Sequence, residues 1–314
     1  MSARREARAT FREDVTAGVA SYELLEVVGP DRERLLHGLV TCDVRGLAPG
    51  ATVHGFFTHG KGGILADFRL LAGEESFRLL LPSGVAERIS MHLDKYKLAA
   101  DVAILPRPGV PVLEVRGAGA ESDLVKAADA ASVSIFRDPV AKASRFFLLP
   151  EASGPAPEPE AWVRNTTEAL RLRRVQEEEL ELARIEDGEL RFGIDFGADN
   201  FPQETGRDEA VSYTKGCYLG QEIVARIHYR GGVQRLPVGL RFGAEEPPAA
   251  GVELVLDGRA VGRATSVARS PRCGAIGLGI VHRRGSEVGT KFEVHGDGVA
   301  EVVSLPFSSQ GGGR

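Results

Sequence analysis

Apolar and polar positions alternate weakly through residues 22–28, and the run stops at Gly29-Pro30, which predicts a strand closed by a turn. Asp31 precedes Leu35, Leu36, Leu39 and Val40 at helical spacing, so a helix capped by Asp31 is expected. Residues 53–57 and 64–71 read as strands, and His59-Gly60-Lys61-Gly62-Gly63 between them reads as a glycine-rich hairpin turn. A strand at 77–81, a helix at 85–97 with Ile89 and Leu93 inward, and strands at 102–105 and 112–115 continue the pattern. Residues 150–160, rich in proline and small side chains, form the clearest loop. Beyond it, Leu170, Leu172, Val175, Leu182 and Ile185 give residues 167–185 the character of one long helix, with Gly188 at its C-cap.

From Arg235 to Phe307 the apolar runs shorten and lie close together, with Asp257-Gly258 and Gly296-Asp297-Gly298 as turns. That predicts a small antiparallel barrel of about six strands. The residues by themselves support α+β followed by all-β, without a tandem repeat. A chain of 314 residues exceeds one compact core. The expected division is an α/β region over 1–234 and a barrel over 235–314.

Composition narrows the possibilities. Hydrophobic residues at 43% and charged residues at 26% are those of an ordinary globular protein. A net charge of −5 argues against nucleic acid as the main ligand. No apolar run reaches the length of a membrane-spanning helix, so no membrane partner is expected. The arginine-rich first twelve residues lack the apolar core of a secretory signal and read as a frayed tail. Cys42, Cys217 and Cys273 are odd in number and far apart, which fits a reducing compartment; the cytoplasm is the expected location. Residues 116–120 imitate half a phosphate loop but lack its third glycine and its lysine, and they are set aside as a nucleotide site.

The densest chemistry lies in Lys215-Gly216-Cys217-Tyr218-Leu219-Gly220-Gln221-Glu222, followed by Arg226. The glycines permit tight turns or close approach to a ligand. Lys215 and Arg226 would favour the thiolate of Cys217, the reactive form of that side chain. The alternative is a buried cysteine acting as a small hydrophobe. Gln221 and Glu222 could hold the loop or polarise Cys217, and Tyr218 could stack on a ring or close a cavity. Lys215 and Arg226 could also meet an anionic ligand. Three scattered cysteines with no Cys-x-x-Cys pair do not provide the usual ligand set of an iron–sulfur cluster, and no metal site is expected.

This octapeptide resembles the signature of the YgfZ family, folate-binding proteins tied to iron–sulfur cluster assembly and repair and related in fold to the glycine-cleavage T protein. Arg184-Ile185-Glu186-Asp187-Gly188, Phe192-Gly193-Ile194-Asp195 and Asn200-Phe201-Pro202-Gln203-Glu204 follow in the family's order, and residues 50–68 resemble the folate-proximal hairpin of T proteins. The resemblance implies two intertwined α/β units with a C-terminal β-barrel around a folate, tetrahydrofolate or another reduced form. It implies iron–sulfur client or assembly proteins as partners.

Residue roles follow from the same resemblance. Asp67 matches the second aspartate of the T-protein hairpin, the acid set against folate and amine, while the first position here is Ala66. A carboxylate there could orient a folate nitrogen or accept its proton; otherwise Asp67 is an ordinary strand-end acid. Glu186 matches the acid that accepts the paired donors of the pterin edge, or it is one more glutamate of a glutamate-rich helix. His54 stands where T proteins carry a ligand-facing tyrosine. Three functions stay open: a folate-dependent maintenance factor for iron–sulfur enzymes centred on Cys217, an aminomethyltransferase or demethylating enzyme working through Asp67, and a non-catalytic folate-binding regulatory module.

Overall fold

The computed structural model describes residues 15–117, 124, 133–141, 144–151, 156–294 and 298–307. The chain divides into two compact units. One holds the described residues up to Glu177 together with Asp208–Ile223, and the other gathers Glu178–Arg207 with the residues from Val224 onward.

Two five-stranded sheets make the first unit. β2 (Tyr22–Val28), β3 (Thr52–Thr58), β4 (Ile64–Ala72), β5 (Ser76–Pro82) and β6 (Ala103–Arg107) form one antiparallel sheet in the order β3-β4-β5-β2-β6. The second sheet runs β10-β1-β7-β9-β8, from β1 (Thr16–Val19), β7 (Leu113–Arg116), β8 (Val133–Arg137), β9 (Arg145–Pro150) and the two-residue β10 (Arg173–Arg174). Leu24, Leu71 and Leu80 of the first sheet share a core with Phe136, Phe147 and Leu149 of the second. The helices of this unit include α1 (Arg32–His37), α2 (Ala86–Lys97) and α3 (Pro159–Ala169). Ile89 and Leu93 of α2 are buried, as their spacing predicts.

The β3–β4 register decides where the chemistry sits. His54 pairs with Arg69 and Phe56 with Asp67, so these four side chains share one face of the sheet. Gly55 pairs with Phe68 on the opposite face, where Phe57 packs on Phe68 at 4.9 Å and edge-on to His92 of α2 at 6.3 Å between ring centres. One face of the hairpin is therefore polar and buried, the other apolar.

In the second unit, α4 (Glu177–Glu186, whose first residue closes the other unit) leads through short turns towards a closed barrel. Its strands are β11 (Arg235–Phe242), β12 (Glu253–Leu256), β13 (Arg259–Ser270), β14 (Gly274–His282), β15 (Lys291–Val294) and β16 (Gly298–Val303), in the order β11-β14-β13-β12-β15-β16. All its pairings are antiparallel. The six-stranded barrel expected from the short apolar runs is present. Val238, Leu240, Leu254 and Phe292 fill it. Asp257 and Gly258, both at positive φ, turn β12 into β13.

Two expectations are corrected. The long helix over 167–185 is two helices: α3 ends at Ala169, Arg171 adopts φ 53°, and Arg173–Arg174 pair with Thr16–Ala17 of β1 before α4 begins. Backbone pairing to β1, extended by Val175 N–H to the Ala17 carbonyl at 2.9 Å, overrides the helical propensity of this stretch. Asp31 makes no side-chain capping bond to α1. Its carboxylate accepts from the Asp101 N–H at 2.9 Å and pairs with Arg34, and α1 stops before Leu39 and Val40. The arginine-rich first residues, part of the proline-rich loop, most of 116–120 and the turn at Gly296-Asp297 lie outside the described residues.

Candidate functional site

The Lys215–Glu222 loop is fastened to the β3–β4 hairpin and to the end of α1. Lys215 is buried, and its ammonium donates to the carbonyls of His37, Val40 and Cys42, each at 2.7 Å. Carbonyls left over at a helix C-terminus attract a cation. An ammonium carries three protons, and here all three have acceptors. Burial pushes the Lys215 pKa down to about 8, so the ammonium still supplies all three bonds at neutral pH. His37 Nε2 meets the Lys215 carbonyl at 2.9 Å, and the Leu219 N–H donates to the Gly38 carbonyl at 3.0 Å.

On the hairpin side, the Thr58 hydroxyl donates to the Leu219 carbonyl at 2.5 Å. Gly220, at φ 86°, approaches so closely that a Cβ there would sit 2.5 Å from the His59 carbonyl oxygen. Positive φ and close approach together admit only glycine at this position. Gly216 supplies the other turn at φ 97°, and Gln221 Nε2 closes it by donating to the Gly216 carbonyl at 2.9 Å.

Within this anchored loop Cys217 is exposed, while Cys42 and Cys273 are buried and all three are free thiols. Burial pushes the Cys42 thiol up to about 12, which keeps it protonated and inert. Tyr218 is buried, with the Lys215 ammonium 5.2 Å from its ring centre. Its hydroxyl has no hydrogen-bond partner among the described residues, and burial raises its pKa. Glu222 and Arg226 are exposed on α5 (Gln221–Arg226), the helix that follows the loop. Lys215 thus serves as the loop's internal anchor, a placement its position in the motif did not disclose.

The buried face of the hairpin carries a network of charges. Asp67 Oδ2 lies 3.5 Å from Arg69 Nη1 and 3.6 Å from His54 Nε2, and His54 packs edge-on to Phe56 at 5.1 Å. Arg69 Nε donates to both oxygens of Asp138, at 3.2 and 3.1 Å, and Arg145 of β9 closes on the same carboxylate. The Val140 N–H donates to Asp138 at 3.0 Å. Burial alone would raise the Asp138 pKa, but Arg145, Arg69 and that N–H hold it well below the usual carboxylate range. Arg69 also lies 5.2 Å from the Tyr22 ring centre. Sequence reading found His54 and Asp67 but missed Arg69, Asp138 and Arg145. The first had a signal, since it stands two positions beyond Asp67 and so on the same strand face.

Glu186 belongs to the other unit. It ends α4 and is buried; the Ser270 hydroxyl donates to its Oε1 at 2.5 Å, and Arg272 binds Oε2. A second buried pair links the last turn of α4 to the loop after it, Arg184 to Asp195 at 2.7 Å, joined by the Ser266 hydroxyl. The structure therefore brings His54 with Asp67 and Lys215 with Tyr218, Cys217 and Gln221 as local groups, while Glu186 stands with barrel residues. A cavity of about 790 Å³ elsewhere in the first unit, lined by Val19, Tyr22, Met91, Pro106 and Val163 among others, contains none of the site residues expected from sequence. Among the described residues, no cluster of three or more His, Cys, Asp or Glu side chains is placed to hold a metal ion, and no helix is long and apolar enough to cross a membrane.

Two antiparallel-dominated sheets followed by a closed six-stranded barrel define a T-protein-type fold. The glycine cleavage T-protein C-terminal barrel domain matches residues 235–308. The aminomethyltransferase T of the Bartonella henselae glycine cleavage system superposes with a TM-score of 0.83, covering 96% of this chain and 88% of that one at 22% identity, a likeness of fold. Sequence relatives narrow the class. The tRNA-modifying protein YgfZ of Edwardsiella ictaluri is 31% identical over 253 residues, 74% of this chain and 72% of that protein. The protein of the same name from Yersinia pseudotuberculosis is 30% identical over 246 residues, again 74% and 72%. The chain belongs to the YgfZ family.

Proposed function

We propose that this protein binds a reduced folate, tetrahydrofolate being the parent form, and supports the assembly or repair of iron–sulfur clusters in client enzymes. The observation that carries the reading is the presentation of Cys217: an exposed thiol on a loop held by a buried lysine, a threonine and two left-handed glycines. A structural cysteine would not need such a mount. An exposed thiol on a fixed loop is suited to thiol exchange or to a transient bond with a metal or cluster. The relatives' name, tRNA-modifying protein, supports placing enzymes that modify tRNA among the clients.

Folate binding draws support from the T-protein-type fold and from two buried carboxylates, Asp67 and Glu186, both already oriented by neighbouring donors. A carboxylate so fixed can accept the paired N–H donors of an aminopyrimidine edge without first losing side-chain entropy. When bound, the folate would supply one-carbon chemistry or a redox-active ring; the protein's part is to orient it. The alternative, an aminomethyl transferase acting through Asp67, rests on the burial of that acid beside His54. A regulatory module without catalysis would need the folate site alone.

Calorimetric titration with tetrahydrofolate tests the binding. Wild-type protein binds, Glu186→Gln weakens binding about tenfold or more through loss of one charge-assisted bond, and Cys217→Ala binds as the wild type does. Absence of binding by correctly folded wild-type protein would contradict the folate assignment.

A further inference from the structure

Charge is strongly segregated along the second unit. No aspartate or glutamate occurs between Glu222 and Glu245, nor between Asp257 and Glu287, yet these two stretches hold ten arginines and no lysine. In a chain of net charge −5 this is a local excess of one sign and one residue type. Four of the ten have acidic partners: Arg235 pairs with Glu204, Arg263 with Glu253, Arg269 with Glu245 and Glu246, and Arg272 with Glu186; a fifth, Arg241, lies half-buried on β11.

Four of the others lie on or beside two adjoining turns. Arg226 ends α5 exposed, and the helix then widens into a π-helical turn, Ile227–Gly231, that carries exposed His228, Tyr229 and Arg230. Gly232 ends that turn with its N–H on the Ile227 carbonyl at 2.9 Å. A Cβ placed on Gly232 would lie 4.0 Å from the Arg283 guanidinium, and the Arg283 N–H donates to the Gln234 carbonyl at 2.8 Å. The short 3₁₀ turn Arg283–Gly285 therefore sits beside the π-helical turn and adds exposed Arg283 and Arg284, with His282 just before them. Arg226, Arg230, Arg283 and Arg284 make no ion pair among the described residues. Tyr229 is 67% exposed, its ring standing edge-on to His228 at 4.8 Å. The nearest acids along the chain are Glu287, after the 3₁₀ turn, and exposed Glu222, one helical turn before Arg226 on α5.

We infer that this surface, formed by the π-helical turn and the adjoining 3₁₀ turn, binds RNA that presents unpaired bases. The reading goes beyond the folate and iron–sulfur assignment and does not depend on it. Arginine in place of lysine favours phosphate, which its planar fork meets with two parallel N–H bonds. An exposed aromatic ring next in the chain to an exposed arginine, as Tyr229 is to Arg230, offers a surface on which an unstacked base can lie. A duplex would engage the arginines but not the ring. An anionic membrane would be attracted by charge alone, with no requirement for Tyr229.

Fluorescence anisotropy with the full chain at about 100 mM salt provides the test, with three probes: an RNA hairpin carrying a seven-base loop, a blunt RNA duplex, and vesicles of phosphatidylglycerol and phosphatidylcholine. The hairpin binds best, and its affinity falls as salt rises because counterions are released from the phosphates. The double variants Arg226→Glu/Arg230→Glu and Arg283→Glu/Arg284→Glu each lower hairpin affinity by about 100-fold and flatten the salt slope. Tyr229→Ala lowers it about tenfold while leaving duplex binding unchanged. Arg259→Glu, at an exposed arginine that begins β13, changes hairpin affinity less than about twofold and controls for a general effect of added negative charge. All variants are first matched to the wild type in thermal midpoint. Hairpin binding equal in wild type and both double variants would overturn the inference. So would vesicle binding that depends on these arginines in a protein that does not hold the hairpin.

Discussion

The Lys215→Met protein is expected to lose the ordered Lys215–Glu222 loop, and with it function, although Cys217 is still present. The substitution keeps the apolar stem but removes the ammonium, leaving the carbonyls of His37, Val40 and Cys42 without their donor. A buried acceptor left unsatisfied costs about 1–3 kcal/mol, so three together are expected to cost about 3 kcal/mol or more after the desolvation of the lysine is relieved. Arginine does not rescue: its protons lie in one plane, whereas three separate carbonyls surround a single ammonium here. Limited proteolysis followed by mass spectrometry reads the outcome as new cleavage within residues 213–220. Cleavage kinetics equal to the wild type's would show that Lys215 does not anchor the loop.

The largest loss of global stability is expected from Asp138→Asn. Two buried guanidiniums, those of Arg69 and Arg145, close on this carboxylate, and the substitution leaves them short of one counter-charge. Breaking a buried pair in this way costs about 3–5 kcal/mol. The pH dependence has a definite sign. In the folded protein Asp138 titrates well below its ordinary range, so the unfolded chain takes up its proton first as pH falls. Stability from this group is fully present above about pH 4 and is lost as the pH drops below it. Urea unfolding at pH 7 and pH 3 should show a large fall in midpoint at pH 7 for Asp138→Asn, and a smaller difference from the wild type at pH 3. A difference that grows on acidification would contradict the assignment. Because Arg69 also approaches Asp67, the variant should weaken folate binding as well.

Much of this architecture could be read from periodicity. The β3–β4 hairpin, the inward face of α2 and the barrel each have a local pattern that the folded chain keeps. Residues 167–185 misled because their apolar spacing suits a helix, while the pairing of Arg173–Arg174 with β1 depends on residues some 150 positions earlier. Strands β8 and β9 passed unread, and with them Asp138 and Arg145, whose partner Arg69 lies 69 residues from Asp138 in sequence. The same limit applies at the loop. Its glycines announce tight turns, and two of them do adopt left-handed φ. Nothing local tells that Lys215 turns inward to carbonyls 173 to 178 residues away, or that Cys217 turns outward. Charge segregation was visible in the sequence but was averaged away by the net charge.

Complementation in a strain lacking this gene tests the central claim most directly. The readout is the activity of a [4Fe–4S] enzyme under oxidative stress, normalised to its protein level, for wild type, Cys217→Ala and Asp67→Asn. Iron–sulfur maintenance through the exposed thiol predicts that Cys217→Ala fails while Asp67→Asn restores at least part of the activity. Rescue by Cys217→Ala together with failure of Asp67→Asn would contradict it, and would move the chemistry from the thiol to one-carbon transfer at the hairpin carboxylate.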